Sequence, residues 1–164
     1  MRRPNSRRKP PLRPEADAGP LEVRKSALDL LARREHSEQE LSRKLSVRNF
    51  APELIESTLA GLVDEGLLDN ARFAESFVHS RYQRGQGPHK IRAGLRERGI
   101  EDELATACLE DGELRWSELA QQVREKRFGS GQPANYKERT RQMRFLRQRG
   151  FSSEQINEAF KGYD

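Results

Sequence analysis

The chain has 164 residues and a mass of 18.9 kDa, room for one modest domain or a string of small modules and too little for a conventional two-domain enzyme. Hydrophobic residues make up 34% and Asp, Glu, Lys and Arg 35%, so any fold must rest on slender cores. The single cysteine, Cys108, excludes an intrachain disulfide framework and a cysteine-based zinc site, and no apolar run is long enough to cross a membrane, which makes the cytoplasm the expected compartment.

The charge of +5 is unevenly placed. Residues 1–13 carry Arg2, Arg3, Arg7, Arg8, Lys9 and Arg13 without an acid, and the remaining body is close to neutral. Residues 1–20 also hold five of the eight prolines and little to bury, which predicts a disordered basic arm over residues 1–22. Such an arm either strengthens binding to a polyanion or serves solubility.

From Val23 onward the apolar residues follow a helical period with short breaks between runs, and nothing alternates as a strand does. The first helix is expected from Val23 to Arg33 and the second from Glu38 to Leu45, with Ser37 and Glu40 as a capping box. Pro52 suits the first turn of a third, which carries Leu54, Ile55, Leu59 and Leu62 and stops near Gly66. Six more are expected over 70–84, 88–97, 101–110, 114–127, 137–149 and 153–161, with Ser152 and Gln155 as a second box.

An internal repeat organises these helices. A shift of 50 places Leu41, Leu45, Asn49 and Phe50 on Ile91, Leu95, Gly99 and Ile100, and a further shift of 51 places Leu95, Gly99 and Ile100 on Leu146, Gly150 and Phe151. Asn and Gly both tolerate a positive φ at a helix end, and the bulky residue that follows packs back over the junction. The expected fold is all-α: three tandem three-helix repeats over 23–67, 68–111 and 112–164, in an elongated or curved array.

Basic and acidic stretches alternate. Residues 81–98 and 137–149 are rich in Arg and Lys, whereas 101–113 hold six acids and no base. Three readings of the basic faces stay open: phosphate contact, pairing with an acidic protein, or a solvated surface. Tyr82, Phe128, Tyr136 and Trp116 read as packing residues rather than base-stacking platforms. His36, His79 and His89 form no metal-ligand pattern with Cys108, and Gly85–Gly87–Pro88 lacks the spacing and preceding strand of a phosphate loop. No catalytic, metal or cofactor site is expected.

Three stretches carry a more specific resemblance: ALDLLARREHSEQELSRKL from Ala27, GLLDNARFAESFVHSRYQRGQGPHKIRAGLRERGI from Gly66 to Ile100, and KRF followed by RFLRQRGFSSEQI through Ile156. Together they resemble the bacterial RecX family of regulatory proteins over roughly residues 23 to 161. The resemblance implies a three-repeat helical monomer that binds the RecA recombinase and modulates, most often inhibits, its filament on single-stranded DNA without catalysis of its own. Matched onto this chain, it points to Arg81, Lys90, Arg92 and Arg96 in the middle repeat and Arg141, Arg144 and Arg147 in the third as contacts to RecA or to single-stranded or double-stranded DNA. Asn70 departs from the family's usual acidic pair, and Asn49 replaces its usual first-junction Gly. An architectural DNA-binding role independent of RecA is the alternative.

Overall fold

A computed structural model describes residues 18–161. Among them all regular structure is helical: α1 (Pro20–Leu31), α2 (Glu38–Val47), α3 (Pro52–Asp64), α4 (Asn70–Gln83), α5 (Pro88–Arg96), α6 (Asp102–Leu109), α7 (Trp116–Phe128), α8 (Tyr136–Arg149) and α9 (Ser153–Ala159). Helices pack chiefly within the triplets α1–α3, α4–α6 and α7–α9. The expected arm lies outside the described residues as far as residue 17, and its last three residues instead form the first turn of α1, because Pro20 takes the first helical position.

Each triplet surrounds its own core. Val23, Ala27, Leu41, Leu45 and Leu62 centre the first, and Leu68 closes it. Phe73, Ala74, Ile91 and Leu95 centre the second, and Leu146, Phe151, Ile156 and Phe160 the third. Leu41, Leu45, Ile91, Leu95 and Leu146 are all 0% exposed, so the period that aligned them marks buried faces. Gln142 breaks the series. It stands where the shift of 51 puts the equivalent of Ile91, yet it is buried and accepts a hydrogen bond from buried Arg124 at 3.0 Å.

The repeated break behaves as its residues require. Asn49, Gly99 and Gly150 adopt φ of 61°, 74° and 100°, reversing the chain after the middle helix of each repeat. Both expected boxes cap their helices, but differently. Ser152 and Gln155 bond reciprocally, whereas Ser37 accepts from the Glu40 amide at 3.0 Å while the Glu40 carboxylate turns away to arginines.

The repeats lock through their turns. The entry to α5 lies on the turn after α8: the Gly87 amide donates to the Arg149 carbonyl at 2.8 Å and the His89 amide to the Gly150 carbonyl at 3.0 Å. Arg149 answers by donating to the carbonyls of Gly85, at 3.1 Å, and Arg84. The approach is backbone on backbone, since a Cβ on Gly87 would sit 2.3 Å from the Gly150 carbonyl carbon. Trp116 adds a side-chain link by packing against both the second and third cores, with its ring edge-on to Tyr82 at 5.2 Å.

The first junction repeats this plan fifty residues earlier. At the entry to α2, Ser37 donates to the Arg98 carbonyl at 2.7 Å, and Gln39 lies against Gly99. Here Asn70 closes a clasp: its side-chain oxygen accepts from the Glu38 amide at 2.9 Å and its amide donates to the Glu38 carboxylate at 3.0 Å. An acid at this position could make neither the donor bond nor a favourable approach to Glu38. Asp69 retains the cap of α4, accepting from the Ala71 and Arg72 amides.

Two glycine substitutions separate packing from propensity. Gly87→Ala is expected to destabilise by roughly 1–3 kcal/mol through overpacking at the second junction. Gly61→Ala, inside α3 with nothing within 4 Å of the added Cβ, is expected to stabilise by about 1 kcal/mol. Urea unfolding of both checks this, and an unchanged midpoint for Gly87→Ala would show that the junction has slack. By the same measurement Leu146→Ala should cost about 2–5 kcal/mol.

Candidate nucleic-acid interface

The seven basic residues singled out in the sequence fall into different settings. Arg92 is half-buried and donates to the Thr106 hydroxyl at 2.8 Å, which ties α5 to α6. Arg96 pairs with Asp102 at 3.2 Å and Arg141 with Glu138 at 2.8 Å, each within its own repeat. Lys90, Arg144 and Arg147 are exposed and make no ion pair among the described residues. Lys137, Arg141 and Arg144 share one surface of α8 beside the exposed Tyr136. Arg81 stands apart from all of these, because it faces a cleft between the first two repeats.

That cleft has a volume of about 360 Å³. One wall is the C-terminal half of α4 with its C-cap, which presents Ser76, Ser80, Arg81 and the capping Arg84; the other carries Arg34, from the loop after α1, and Arg98, from the turn after α5. Spacings of three and four residues put the α4 side chains on one face. Phe77 forms the floor, with the Arg81 and Arg98 guanidiniums each 4.8 Å from its ring centre. Its ring can lie on α5 only because residue 94 is glycine: a Cβ there would stand 2.9 Å from the ring.

Two carboxylates line the cleft and both are engaged. Glu35 receives Arg72 at 2.7 Å, while Glu40 receives Arg34 at 2.9 Å and Arg98 at 3.3 Å. Burial pushes the Glu40 carboxyl upward, but the hydrogen bond and charge of Arg34, with His36 and Arg98, outweigh it and hold it below the usual range. Arg81 and Arg84 find no carboxylate within ion-pair distance among the described residues. Burial, and then the like charges of Arg84, Arg98 and Arg34, lower the Arg81 guanidinium below the ordinary arginine value. It remains a cation at neutral pH, in a field that an anion would relieve.

A second cleft of about 480 Å³ separates repeats two and three, and Arg84 lines it as well. Lys126 and Arg127 of α7, with Arg149, supply its other cations, and Leu119, Val123 and Phe145 an apolar floor. Basic residues thus recur where the first helix of each repeat ends: Arg34 just past α1, Arg81 and Arg84 at α4, Lys126 and Arg127 at α7. The C-terminal pole of a helix favours that sign.

Arg34, Arg84 and Arg98 were not among the residues singled out in the sequence. A signal for one of them was present, since Arg48, Arg98 and Arg149 each precede the positive-φ residue of their repeat. Elsewhere the chemistry is sparse. Among the described residues no group of His, Cys, Asp and Glu could hold a metal ion, and no helix is long and apolar enough to cross a membrane. His36 is buried at the α1–α2 loop; its Nδ1 faces the Arg34 carbonyl at 3.0 Å and Lys44 approaches Nε2 at 2.8 Å.

Three family models match in chain order: the first three-helix domain of RecX over residues 24–62, the second over 69–109 and the third over 115–160. The chain belongs to the RecX family. Regulatory protein RecX of Halorhodospira halophila is 48% identical over 150 residues, covering 92% of this chain and 93% of that protein. The regulatory protein RecX of Pseudomonas syringae pv. tomato is 43% identical over 143 residues, covering 87% and 92%. In structure, the crystal structure of RecX from Lactobacillus salivarius matches with a TM-score of 0.74 at 22% identity, over 88% of this chain and 96% of that one. RecX membership and the RecX fold of three helical repeats therefore hold for this chain.

The His36 contacts predict an acid-sensitive first repeat. Burial, then the charges of Arg34 and Lys44, outweigh the Arg34 carbonyl bond and the Glu40 charge and lower the imidazole's pKa. A histidine depressed in the folded state stabilises fully above its unfolded value of about 6.5, and that stability is lost as pH falls from there through the folded value. The unfolding temperature should therefore drop between pH 7.5 and pH 5.5, and His36→Gln should flatten that drop. Parallel pH profiles for the two proteins would show that His36 is not its source.

Proposed function

We propose that this chain regulates the RecA recombinase by binding the filament that RecA forms on single-stranded DNA. The expected direction is inhibition of filament extension, ATP turnover and strand exchange, and through them control of DNA repair and recombination. Membership of a family of regulatory proteins supports the regulatory role. The observation that carries the mechanism is the lock between repeats: three small bundles held by hydrogen bonds to the turn carbonyls at both junctions present their basic groups in fixed register. A rigid array of individually weak contacts gains affinity when its sites on the target are also regularly spaced.

On this reading Arg81, Lys90, Arg92, Arg96, Arg141, Arg144 and Arg147 divide by setting. Lys90, Arg144 and Arg147 are free to meet acidic RecA surfaces, Arg81 faces the cleft, and Arg92, Arg96 and Arg141 shape the helices that carry them. The chain works as a monomer, without a cofactor and in the cytoplasm.

The test is binding to cognate RecA assembled with a slowly hydrolysed ATP analogue on single-stranded DNA, beside DNA alone and RecA alone. Tight binding to the assembled filament and weak binding to either component is the expected result. Comparable affinity for DNA alone would replace this reading with an architectural DNA-binding role, which the arginines without carboxylate partners in the first cleft favour.

A further inference from the structure

The two clefts share Arg84, and their chemistries are complementary. The first gathers cations and hydroxyls: Arg34 and Arg98 from one wall, Arg81, Arg84, Ser76 and Ser80 from the other. The second sets an apolar floor of Leu119, Val123 and Phe145 beside Lys126 and Arg127. A polyanion without apolar groups would leave that floor unused, and an apolar ligand would leave Arg81 and Arg84, which Glu40 does not reach as it does Arg34 and Arg98, without a counter-charge. A single strand of nucleic acid carries both groups alternately.

We propose that the two clefts form one track for a single strand of nucleic acid, with a backbone phosphate among Arg34, Arg81, Arg84 and Arg98 and a neighbouring base on the floor formed by Leu119, Val123 and Phe145. The donors favour phosphate over the carboxylate of an acidic protein. Guanidiniums approach from opposing walls, which suits a tetrahedral group with acceptors in several directions, whereas the lone pairs of a carboxylate lie in one plane. The apolar floor favours a single strand over a duplex, whose bases are stacked and have no free face to offer. Arg149 also lines the second cleft, but its guanidinium donates to the Gly85 and Arg84 carbonyls and so fixes the shared wall instead of meeting the ligand.

The inference deepens the reading above and depends on it only for the source of the strand. Its test uses the full chain without RecA, by fluorescence anisotropy with a short oligo-dT, an abasic oligomer of equal charge, and polyglutamate as competitor. Oligo-dT should bind roughly tenfold more tightly than the abasic strand, the contribution of one seated base. Arg81→Gln with Arg84→Gln should weaken both strands about tenfold and flatten the log–log salt slope by about 0.7, for the one phosphate seated there. Lys25→Gln with Lys161→Gln removes the same charge at exposed positions outside both clefts and should leave both close to wild type.

Equal affinity for dT and abasic strands would overturn the base seat, and equal losses in the two double variants would reduce the phosphate seat to net charge. Polyglutamate competing as well as oligo-dT would assign the first cleft to an acidic protein segment. The dT and abasic comparison needs no variant, so poor folding of a variant leaves it decisive. A track that behaves as expected beside a chain that does not prefer the assembled filament would sink the RecA reading alone, and the reverse pattern would sink the track alone.

Discussion

The structure depends on hydrogen bonds made to the turn carbonyls where one repeat meets the next. A repeat of this size buries too little apolar surface to be firm by itself, so the contact with its neighbour supplies part of its order. At the second junction that contact is the Gly87 and His89 amides on the Arg149 and Gly150 carbonyls. Each such bond contributes only about 1 kcal/mol net, but together they orient two bundles whose cores are otherwise joined through Trp116 and Tyr82. Glycine is required on both sides: a Cβ on Gly87 would strike the Gly150 backbone, and one on Gly150 would come within 2.7 Å of the Lys90 nitrogen. The register of the basic groups across the second cleft follows from this approach.

The third repeat solves its core differently from the second. Where α4 buries Val78 and α5 buries Ile91, α7 and α8 bury Arg124 and Gln142. Arg124 donates to Gln142 at 3.0 Å and to the Gly131 carbonyl at 2.6 Å, with its guanidinium 4.9 Å from the centre of the Phe160 ring. Arg139 lies over the same ring at 5.3 Å. Buried polar groups of this kind add little stability relative to apolar ones, but they demand particular partners. Arg124 thereby ties the long connection between α7 and α8 to the core and holds the wall that carries Lys126 and Arg127.

Most of the fold was legible because the signal is local and repeated. Period-3.6 leucines, prolines at helix starts and a Gly or Asn before a bulky residue each act within a few positions, and the helices match the expected ones to within three residues at either end. The candidate site was legible only in part, for a physical reason. A count of charges along one helix cannot see a partner on the next, so it ranked Arg92 and Arg96 alike, although Thr106 holds one and Asp102 the other. Nor could it see that Arg34 and Arg98, 64 positions apart, converge on Glu40. Two departures from the family pattern had local explanations that needed coordinates: Asn70 is a donor to Glu38, and Asn49 keeps the left-handed turn.

Asn49 also bears on why the array has three members. The turns at Gly99 and Gly150 each receive the middle-helix entry of the preceding repeat, and the arginines before them, Arg98 and Arg149, reach back toward that repeat. The first repeat has no predecessor among the described residues. There Arg48 turns inward to the Ser26 hydroxyl, and Asn49 carries the Cβ that the tighter Gly150 junction forbids. At the other end α8 starts at Tyr136, capped by Asn135 at 2.9 Å, so the position equivalent to the Gly87 entry lies inside a helix at Glu138 instead of in a loop with free amides. Neither end, among the described residues, repeats the turn and entry by which the inner repeats dock. Among the described residues the docking geometry that builds the array is thus found at its two inner junctions, where a turn carbonyl of one repeat receives the middle-helix entry of the repeat before it.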